Sequence, residues 1–342
     1  MRWVSGRYVT DSPMDRATQL AALGPAHGPN PRVGCVIIGA DGTVIAEGFH
    51  EGAGTAHAEA AALTAAAAKG VSVAGATAYV TLEPCNHTGR TGPCATALAG
   101  AGIARVVYAV PDPNPTAAGG AGYLTEHGVT VLLAPHDGAR ELNRKWLVAM
   151  ARQRPYVIAK WAATLDGRTA AADGTSFWIT GEAAREHVHV IRTEVDAIVV
   201  GTGTVTADDP ELSARPTGVA APHQPLRIVV GERDTSGAKV WRDANAVQVA
   251  SRNPSAWLDE AWLHECRVVL VEGGATVTSA FLREGLVDEV HAYIAPALLG
   301  DGPSAVAGLG IRTMADALRG SDVTVTRLGA DTLVTAIFTE EA

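Results

Sequence analysis

The sequence predicts an α/β protein made of two domains, and three observations support this prediction. The chain has 342 residues, whereas a single domain usually has about 100–200. Hydrophobic residues make up 47% and charged residues 18% of the chain, so a buried core is easily built. Short apolar runs alternate with helical stretches along both halves, which is typical of α/β folds.

The first half predicts a three-layer α/β domain. A helix begins after Ser12, which can cap it, has Pro13 in its first turn, and runs to Leu23. Asp41-Gly42 between two apolar runs predicts a hairpin. The elements expected after the first helix are strands 33–38 and 44–48, helix 56–69, strand 76–82, helix 93–101, strands 105–110 and 128–133, and a helical segment over 138–151.

The second half predicts an α/β domain with its own core. Its elements are strands 156–161, 197–201, 226–230 and 268–272, with helices near 181–193 and 276–284 between them. We place the two domains at residues 1–151 and 155–342, on either side of a short polar segment. No Gly-x-Gly-x-x-Gly fingerprint opens the second domain, so an ordinary Rossmann site is not expected.

Charge and cysteine content restrict the class of protein. The formal net charge is −9, which disfavours nucleic acid as a partner. There are four cysteines in a long chain, so a disulfide framework is not expected, and reduced thiols suit the cytoplasm. Cys35 and Cys266 are expected to be buried as small hydrophobic residues. No run of residues predicts a signal peptide or a membrane span.

Two short segments predict a zinc site. His57, Cys85 and Cys94 supply one imidazole and two thiols, which can hold zinc and leave a fourth position open for water. Glu59 lies two residues after His57, so both can reach one site only near a helix end, with Glu59 as the proton carrier and not a ligand. The pattern matches the His-x-Glu and Pro-Cys-x-x-Cys signature of zinc deaminases. It departs from the signature in having eight residues between the two cysteines.

The alternative is a structural zinc site, which is closed by four protein ligands. His87 could be that fourth ligand. The His-x-Glu tripeptide, the Pro-Cys pair and the α/β order together favour a catalytic site. We therefore expect His87 in the pocket and not on the metal.

The sequence around these cysteines resembles a known family. Residues 81–94, Thr-Leu-Glu-Pro-Cys-Asn-His-Thr-Gly-Arg-Thr-Gly-Pro-Cys, and residues 28–34, Gly-Pro-Asn-Pro-Arg-Val-Gly, are similar to the bifunctional deaminase-reductases of riboflavin biosynthesis. The long loop between the cysteines, with its internal His-x-Gly, separates this family from cytidine and guanine deaminases. Segments 160–170, 201–210 and 271–276 resemble motifs of its reductase domain, so the resemblance covers nearly the whole chain.

The resemblance implies a fold and two reactions. The first domain is expected to be a cytidine-deaminase-like three-layer α/β/α domain, and the second a dihydrofolate-reductase-like α/β domain. The first hydrolyses the 2-amino group of 2,5-diamino-6-ribosylamino-4(3H)-pyrimidinone 5′-phosphate with Zn²⁺. The second reduces the ribosyl group to ribityl with NADPH. The family also implies a homo-oligomer, either a dimer or a tetramer.

The resemblance also implies roles for individual residues. His57, Cys85 and Cys94 bind zinc, and Glu59 is the proton donor. The residues implied in the deaminase pocket are Asn30, His50, His87 and Arg90. The residues implied at the NADPH site are Ala162, Trp178, Thr204 and Asp208, together with Gly274, Ala275 and Thr276 at a strand-to-helix turn, where backbone N–H groups can bind phosphate. The residues implied at the second substrate site are Ser176, Arg192, Leu212, Arg215 and Glu272.

Several of these assignments have alternatives. Without the resemblance, His50 would be a surface-loop histidine, and Arg192 and Arg215 would be solvated charges. Lys160 and Asp208 are both candidates for the proton donor of the reduction. Two other functions compete with the main one: a nucleoside or nucleic-acid deaminase with an inert second domain, and a non-enzymatic zinc-stabilised binding protein.

Overall fold

The computed structural model describes residues 2–4, 7–9, 12–87 and 92–338. The chain divides into two compact units, Met1–Ala151 and Arg152–Ala342. Both are mixed α/β units, as the sequence predicts. In the described part of the chain, no helix combines the length and the apolar composition needed to cross a membrane.

The first unit is built on a five-stranded sheet. Its elements in chain order are β1 (Arg2–Val4), β2 (Arg7–Val9), α1 (Pro13–Ala21), β3 (Gly34–Ile38), β4 (Val44–Phe49), α2 (Ala58–Ala68), β5 (Thr77–Val80), α3 (Cys94–Gly100), β6 (Arg105–Tyr108), α4 (Gly120–Glu126), β7 (Thr130–Leu133), α5 (Asp137–Leu142) and α6 (Arg144–Arg152, ending in the second unit). The strand order is β4-β3-β5-β6-β7. Strand β3 runs antiparallel to both of its neighbours, and β5, β6 and β7 are parallel. The short strands β1 and β2 pair separately.

Helices cover both faces of this sheet, which confirms the predicted three layers. A Cβ on Gly34 would meet Ala17 O of α1 at 2.0 Å, so α1 packs on the face of β3 to which Gly34 belongs. The next residue, Cys35, points to the opposite face, because side chains alternate along a strand. There it joins a buried cluster with Ala62 of α2 and Leu98 of α3.

The predicted start of α1 is confirmed in detail. Ser12 Oγ accepts a hydrogen bond from Asp15 N at 3.1 Å, and Asp15 Oδ2 accepts one from Ser12 N at 2.8 Å. This reciprocal capping box satisfies two backbone donors that the first turn leaves unpaired.

The sequence does not predict strands β1 and β2, and two further details of the first unit differ from the prediction. The segment 138–151 is not continuous: α5 and α6 are separated at Asn143, whose side chain accepts from Arg32 N and donates to Arg32 O, both at 2.8 Å. Helix α4 was not predicted, because its first turn, Gly120-Ala121-Gly122, is rich in glycine. It supplies the crossover that the parallel strands β6 and β7 require.

The second unit contains an eight-stranded sheet. Its elements in chain order are β8 (Tyr156–Thr164), α7 (Glu182–Glu194), β9 (Ala197–Gly201), α8 (Thr202–Asp208), β10 (Leu226–Val230), β11 (Ala246–Val249), α9 (Pro254–Leu263), β12 (Val268–Val271), α10 (Ala275–Arg283), β13 (Glu289–Ala295), β14 (Ser321–Leu328) and β15 (Asp331–Ile337). The strand order is β11-β10-β9-β12-β8-β13-β15-β14. The first six strands in that order are parallel, and β15 is antiparallel to its two neighbours.

The adjacent strands β11, β10, β9 and β12 are parallel to one another. Their carboxyl ends therefore lie at the same edge of the sheet. Ligands of open α/β sheets bind at such edges. The sequence predicts four strands of this sheet but not β11, β13, β14 or β15. Strand β14 lacks a buried face, which explains why its sequence gives little signal.

Candidate active sites

The predicted zinc ligands lie together in the first unit. His57 is the N-cap of α2, Cys94 is the first residue of α3, and Cys85 lies between β5 and α3. His57 Nδ1 is 3.5 Å from Cys85 Sγ and 3.3 Å from Cys94 Sγ. Tetrahedral zinc with bonds of about 2.1 Å to nitrogen and about 2.3 Å to sulfur would separate such atoms by roughly 3.6 Å. The three residues therefore fit a zinc ion.

A hydrogen bond between the Cys85 and Cys94 side chains favours the thiolate form that binds metal. A hydrogen bond from the Cys94 thiol lowers the pKa of Cys85 to about 4. The same hydrogen bond and burial raise the pKa of Cys94 well above its usual value. The two sulfurs thus share one proton at neutral pH, and a divalent cation would displace it.

Glu59 lies beside this cluster on the first turn of α2. Its side chain is almost fully buried, and it is not one of the three grouped metal ligands. Burial raises the pKa of Glu59 to about 7. A carboxyl group with a pKa near neutrality can both accept and donate a proton, as a general acid–base group must.

His50 and Asn30 lie next to the metal-ligand residue His57. His50 is 5% exposed, so the alternative of a solvent-exposed loop histidine is wrong. Its ring centroid is 5.4 Å from that of His57. Asn30 Nδ2 lies 2.9 Å from His50 Nε2, and His50 Nδ1 lies 3.0 Å from Ala56 O. The assignment that satisfies both contacts is a neutral ring, with Nδ1 donating and Nε2 accepting, and burial lowers the pKa of His50.

The remaining pocket predictions differ in outcome. His87 is outside the metal-ligand group, and its Nδ1 is buried with no hydrogen-bond partner among the described residues. Arg90 lies outside the described residues.

Asp112 is a titratable residue near the zinc ligands that the sequence does not predict. Burial and the nearby Glu83 and Cys85 raise its pKa to about 6. Its only sequence signal is the short motif Pro-Asp-Pro-Asn over residues 111–114.

In the second unit, most of the predicted contacts line one cavity of 810 Å³. Two predicted residues, Ser176 and Ala275, do not line it or the second cavity described below. The predicted residues that line the 810 Å³ cavity are Ala162, Trp178, Arg192, Thr204, Asp208, Leu212, Arg215 and Glu272.

A buried ion pair organises this first cavity. Arg192 binds Glu272 through two hydrogen bonds, of 2.6 and 3.0 Å, and Lys160 Nζ lies 3.7 Å from the same carboxylate. Burial alone would raise the pKa of Glu272, but the two cations lower it to about 2, so this group is ionised at neutral pH.

This pairing distinguishes Arg192 from Arg215, the two arginines predicted at the second substrate site. The Arg192 guanidinium is already engaged by Glu272 and by Ser213 O. Arg215 is half-exposed, and among the described residues its side chain has one longer ion-pair contact, 3.4 Å to Glu211. Its charge is therefore the more available of the two to a ligand phosphate.

The two candidate proton donors, Lys160 and Asp208, both line the cavity. Burial lowers the pKa of Lys160 and raises that of Asp208. Each shift brings the group closer to the pH range in which it can transfer a proton.

A second cavity, of 550 Å³, lies at the carboxyl edge of β9, β10 and β12. It is lined by Gly274 and Thr276 at the start of α10. Thr204 lines both cavities, and its Oγ1 accepts a hydrogen bond from Gly274 N at 3.2 Å. Two cavities that share Thr204, with a helix N-terminus in the wall of the second, fit an extended dinucleotide.

Comparisons with known proteins show the family to which the chain belongs. The model of the RibD C-terminal domain matches residues 155–334, and that of the cytidine and deoxycytidylate deaminase zinc-binding region matches residues 9–110. The riboflavin biosynthesis protein RibD of Corynebacterium ammoniagenes is 47% identical over 285 residues, which cover 82% of this chain and 83% of the relative. The chain belongs to the RibD family.

Other RibD proteins are similar over a greater share of the chain. RibD of Escherichia coli K12 is 39% identical, with coverage of 89% of this chain and 92% of the relative. The structure of Acinetobacter baumannii RibD, form 1, matches with a TM-score of 0.85 and 39% identity over 96% of this chain and 98% of that chain. A Thermotoga maritima diaminohydroxyphosphoribosylaminopyrimidine deaminase/5-amino-6-(5-phosphoribosylamino)uracil reductase matches with a TM-score of 0.82 and 31% identity over 96% and 98% of the two chains.

Membership of the RibD family confirms the main functional prediction. The chain is a bifunctional deaminase and reductase of riboflavin biosynthesis, with a zinc-binding deaminase domain and a reductase domain that uses NADPH. The rival interpretations, an inert second domain and a non-enzymatic zinc protein, are therefore wrong.

Proposed function

We propose that residues 1–151 remove the 2-amino group of 2,5-diamino-6-ribosylamino-4(3H)-pyrimidinone 5′-phosphate by hydrolysis. Residues 155–342 then reduce the ribosyl side chain, giving 5-amino-6-ribitylamino-uracil 5′-phosphate. The observation that carries this proposal is the buried Glu59 beside three residues that fit zinc. The name of the Thermotoga maritima neighbour supports the choice of substrate.

In the deaminase, Glu59 is the proton carrier. Zinc held by His57, Cys85 and Cys94 would supply Lewis-acid activation of water. The Glu59 carboxylate takes a proton from the attacking water, passes it to a ring nitrogen and later protonates the leaving ammonia. Its pKa near 7 suits it to both acceptance and donation.

The other pocket residues orient the ring and its phosphate. Because Asn30 Nδ2 is engaged by His50, the Asn30 carbonyl oxygen is left to accept a hydrogen bond from the pyrimidine edge. We assign His87 to the same pocket and the Arg90 guanidinium to the ribose phosphate.

In the reductase, NADPH held in these cavities would supply a hydride for C1′ of the opened ribosylamine. The protein aligns the sugar with the cofactor and excludes water. We assign the substrate phosphate chiefly to Arg215, and the rest of the substrate site to Ser176, Arg192, Leu212 and Glu272. The cofactor contacts in this proposal are Ala162, Trp178, Thr204, Asp208, Gly274, Ala275 and Thr276. Lys160 and Asp208 remain the two candidates for proton donation.

The decisive experiment supplies the diaminopyrimidine phosphate with and without NADPH. Ammonia release is expected in both reactions, and NADPH oxidation only after deamination. A Trp178→Ala or Asp208→Ala variant should lose reductase but not deaminase activity. NADPH oxidation without prior ammonia release would contradict the proposed order, and equal loss of both activities at unchanged stability would contradict the separation of sites.

We also propose a homo-oligomer, a dimer or tetramer, located in the cytoplasm and without a nucleic-acid partner. The edge strand β14 exposes Val323 and Val325 by 60% and 66%, which supports burial of this edge in an assembly. All four cysteines are free thiols, which supports a reducing compartment. Light scattering coupled to size-exclusion chromatography would measure the molar mass, and a monomer would contradict the first of these proposals.

A further inference from the structure

The segment between α1 and β3 carries Asn30, a residue assigned to the deaminase pocket. Residues 22–33, all of which the structure describes, form no helix or strand. Pro29 and Pro31 stand on either side of Asn30, and a proline has no backbone N–H with which to complete a hydrogen-bonded ladder. The position of Asn30 therefore depends on contacts between this segment and other elements of the first unit.

Two buried side chains bind the segment on both sides of Asn30. Asn143, directly before α6, accepts a hydrogen bond from Arg32 N through Oδ1 and donates one to Arg32 O through Nδ2, both at 2.8 Å. Trp146, in the first turn of α6, donates from Nε1 to Pro29 O at 2.9 Å. Asn143 is 4% and Trp146 is 8% exposed, so water competes little for these three hydrogen bonds.

The break between α5 and α6 fixes the two side chains. Asn143 N donates to Arg140 O of α5 at 3.1 Å, and Asn143 O accepts from Leu147 N of α6 at 2.8 Å. Residues three apart lie on the same side of a helix, so Trp146 points toward the side on which Asn143 lies. One fixed helix end thus offers three hydrogen-bonding groups to the segment 29–32.

Asn30 connects this helix end to the zinc ligands. Its Nδ2 lies 2.9 Å from His50 Nε2, and the ring of His50 lies beside that of His57. The Asn30 carbonyl oxygen is left to accept a hydrogen bond from the pyrimidine edge. Such a contact depends on precise placement, and a misplacement of about 1 Å can cost roughly 100-fold in rate.

We propose that Asn143 and Trp146 are positioning residues of the deaminase, which fix the segment 29–32 so that Asn30 meets the pyrimidine ring. The proposal rests on the proposed function of the first unit, in which Asn30 binds that ring. Displacement of Asn30 weakens substrate binding and therefore raises KM. A general loss of folded protein would instead leave fewer active molecules, which lowers the apparent kcat and leaves KM unchanged.

Steady-state kinetics of ammonia release by the full-length chain separate these two effects. Trp146→Phe keeps a buried aromatic ring and removes only the N–H donor, whereas Asn143→Ala removes both hydrogen bonds to Arg32. Each variant is expected to raise KM for the diaminopyrimidine phosphate by about 10-fold and to keep kcat within about twofold. Zinc content should equal that of wild type. Unchanged KM in both variants, whatever happens to kcat, would overturn the proposal.

A double-mutant cycle tests whether the effect passes through Asn30. In Asn30→Ala protein the ring contact is already lost, so adding Trp146→Phe should raise KM by less than about twofold. A further increase of about 10-fold in this background would show that Trp146 acts by another route, which contradicts the proposal.

Hydrogen exchange of the backbone gives a readout that needs no turnover. The Arg32 N–H is bonded to Asn143 Oδ1, so exchange of a peptide covering residues 28–33 should become about 10-fold faster in Trp146→Phe and Asn143→Ala. Exchange at the wild-type rate in both variants would show that neither side chain holds the segment.

Trp241→Phe is the matched control, because it removes the same kind of donor from the second unit. Trp241 Nε1 donates to Thr235 Oγ1 at 3.1 Å, and Trp241 lines neither of the two cavities. This variant should keep the wild-type KM for ammonia release and the wild-type exchange of residues 28–33. An equal rise in KM in Trp241→Phe and Trp146→Phe would contradict the positioning role.

The wild-type chain separates the positioning role from the proposed function. If it releases ammonia from the diaminopyrimidine phosphate while Trp146→Phe and Asn143→Ala keep its KM, the positioning role is wrong and the proposed deaminase stands. Absence of ammonia release by the wild-type chain would contradict the proposed function itself.

Discussion

Glu59 is a carboxyl group buried beside two thiols, and its removal should separate chemistry from metal binding. Glu59→Gln is expected to keep zinc, because Glu59 is not among the grouped ligands. Ammonia release should fall by about 100-fold to 10,000-fold, the usual contribution of a positioned proton carrier. Metal analysis and an ammonia assay on the same preparation measure both quantities. A variant that retains full activity would contradict the assigned role.

Glu272 makes the stability of the second unit depend on pH. Its pKa of about 2 in the folded chain is below the ordinary value of 4.5. A lowered carboxyl pKa stabilises the fold above the unfolded-state value, and this contribution is lost as the pH falls through the interval from 4.5 toward 2. Glu272→Gln removes this dependence, so wild-type protein should lose about 2 kcal/mol more than the variant between about pH 7 and about pH 3.

Urea unfolding of both proteins at the two pH values measures this difference. The variant will be less stable than wild type at neutral pH, since Arg192 and Lys160 lose their partner; the prediction concerns only the change with pH. Parallel pH curves for the two proteins would show that the carboxylate is not held by its neighbours.

At the residue scale, the sequence predicts a metal site well and pocket geometry poorly. The zinc ligands have chemistry and spacing that few other sites share, so His57, Cys85 and Cys94 could be named in advance. Asp112 could not, because its raised pKa comes from burial beside Glu83 and Cys85, and that neighbourhood exists only after folding. Arg192 shows the same limit, since its partner Glu272 is 80 residues away in the chain.

At the scale of elements, helix α4 supports the loop that carries Cys85. A Cβ on Gly120 would lie 1.7 Å from Pro84 O, so Gly120→Ala must displace α4 or the segment leading to Cys85. We expect a loss of about 1–3 kcal/mol in unfolding free energy and weaker zinc retention. Thermal unfolding and zinc release to a chelator measure the two effects.

Gly122→Ala is the matched control in the same helix. A Cβ there meets nothing within 4 Å, and alanine is the better helix former. It should retain zinc and be at least as stable as wild type. Equal zinc loss in both variants would show that the close approach of Gly120 to Pro84 does not matter.

Helices and strands with a clear pattern in their own residues could be predicted from the sequence. Those whose limits depend on contacts with distant residues could not. Strands β9 and β10 are short β-branched runs, and their predicted limits agree with the structure. The division between α5 and α6 arises from Asn143 binding the backbone of Arg32, which is 111 residues away in the chain. No helical periodicity contains that information.

At the scale of the whole molecule, each unit has its own core and its own candidate site. The first core includes Ile37 and Leu98, and the second includes Ile228 and Phe281. Removing the metal should therefore abolish ammonia release and leave NADPH binding within about twofold of its original affinity, which is a difference of about 0.4 kcal/mol. Chelation followed by calorimetric titration tests this, and re-addition of zinc should restore ammonia release. A parallel loss of NADPH binding would show that the second site depends on the metal.

The length of the chain predicts two domains. Only the structure shows that the zinc ligands lie in one unit and the residues lining the reductase cavity lie in the other.

The donor set of His57, Cys85 and Cys94 also has a consequence for the metal supply of the cell. One imidazole and two soft thiolates do not favour zinc uniquely, because divalent copper binds most nitrogen and sulfur sites more tightly than zinc does. Occupancy by the working ion therefore depends on which metals are available while the chain folds. Cobalt, which accepts the same ligands in a tetrahedral arrangement, could then replace zinc in the purified protein and report the ligand set through its visible absorption.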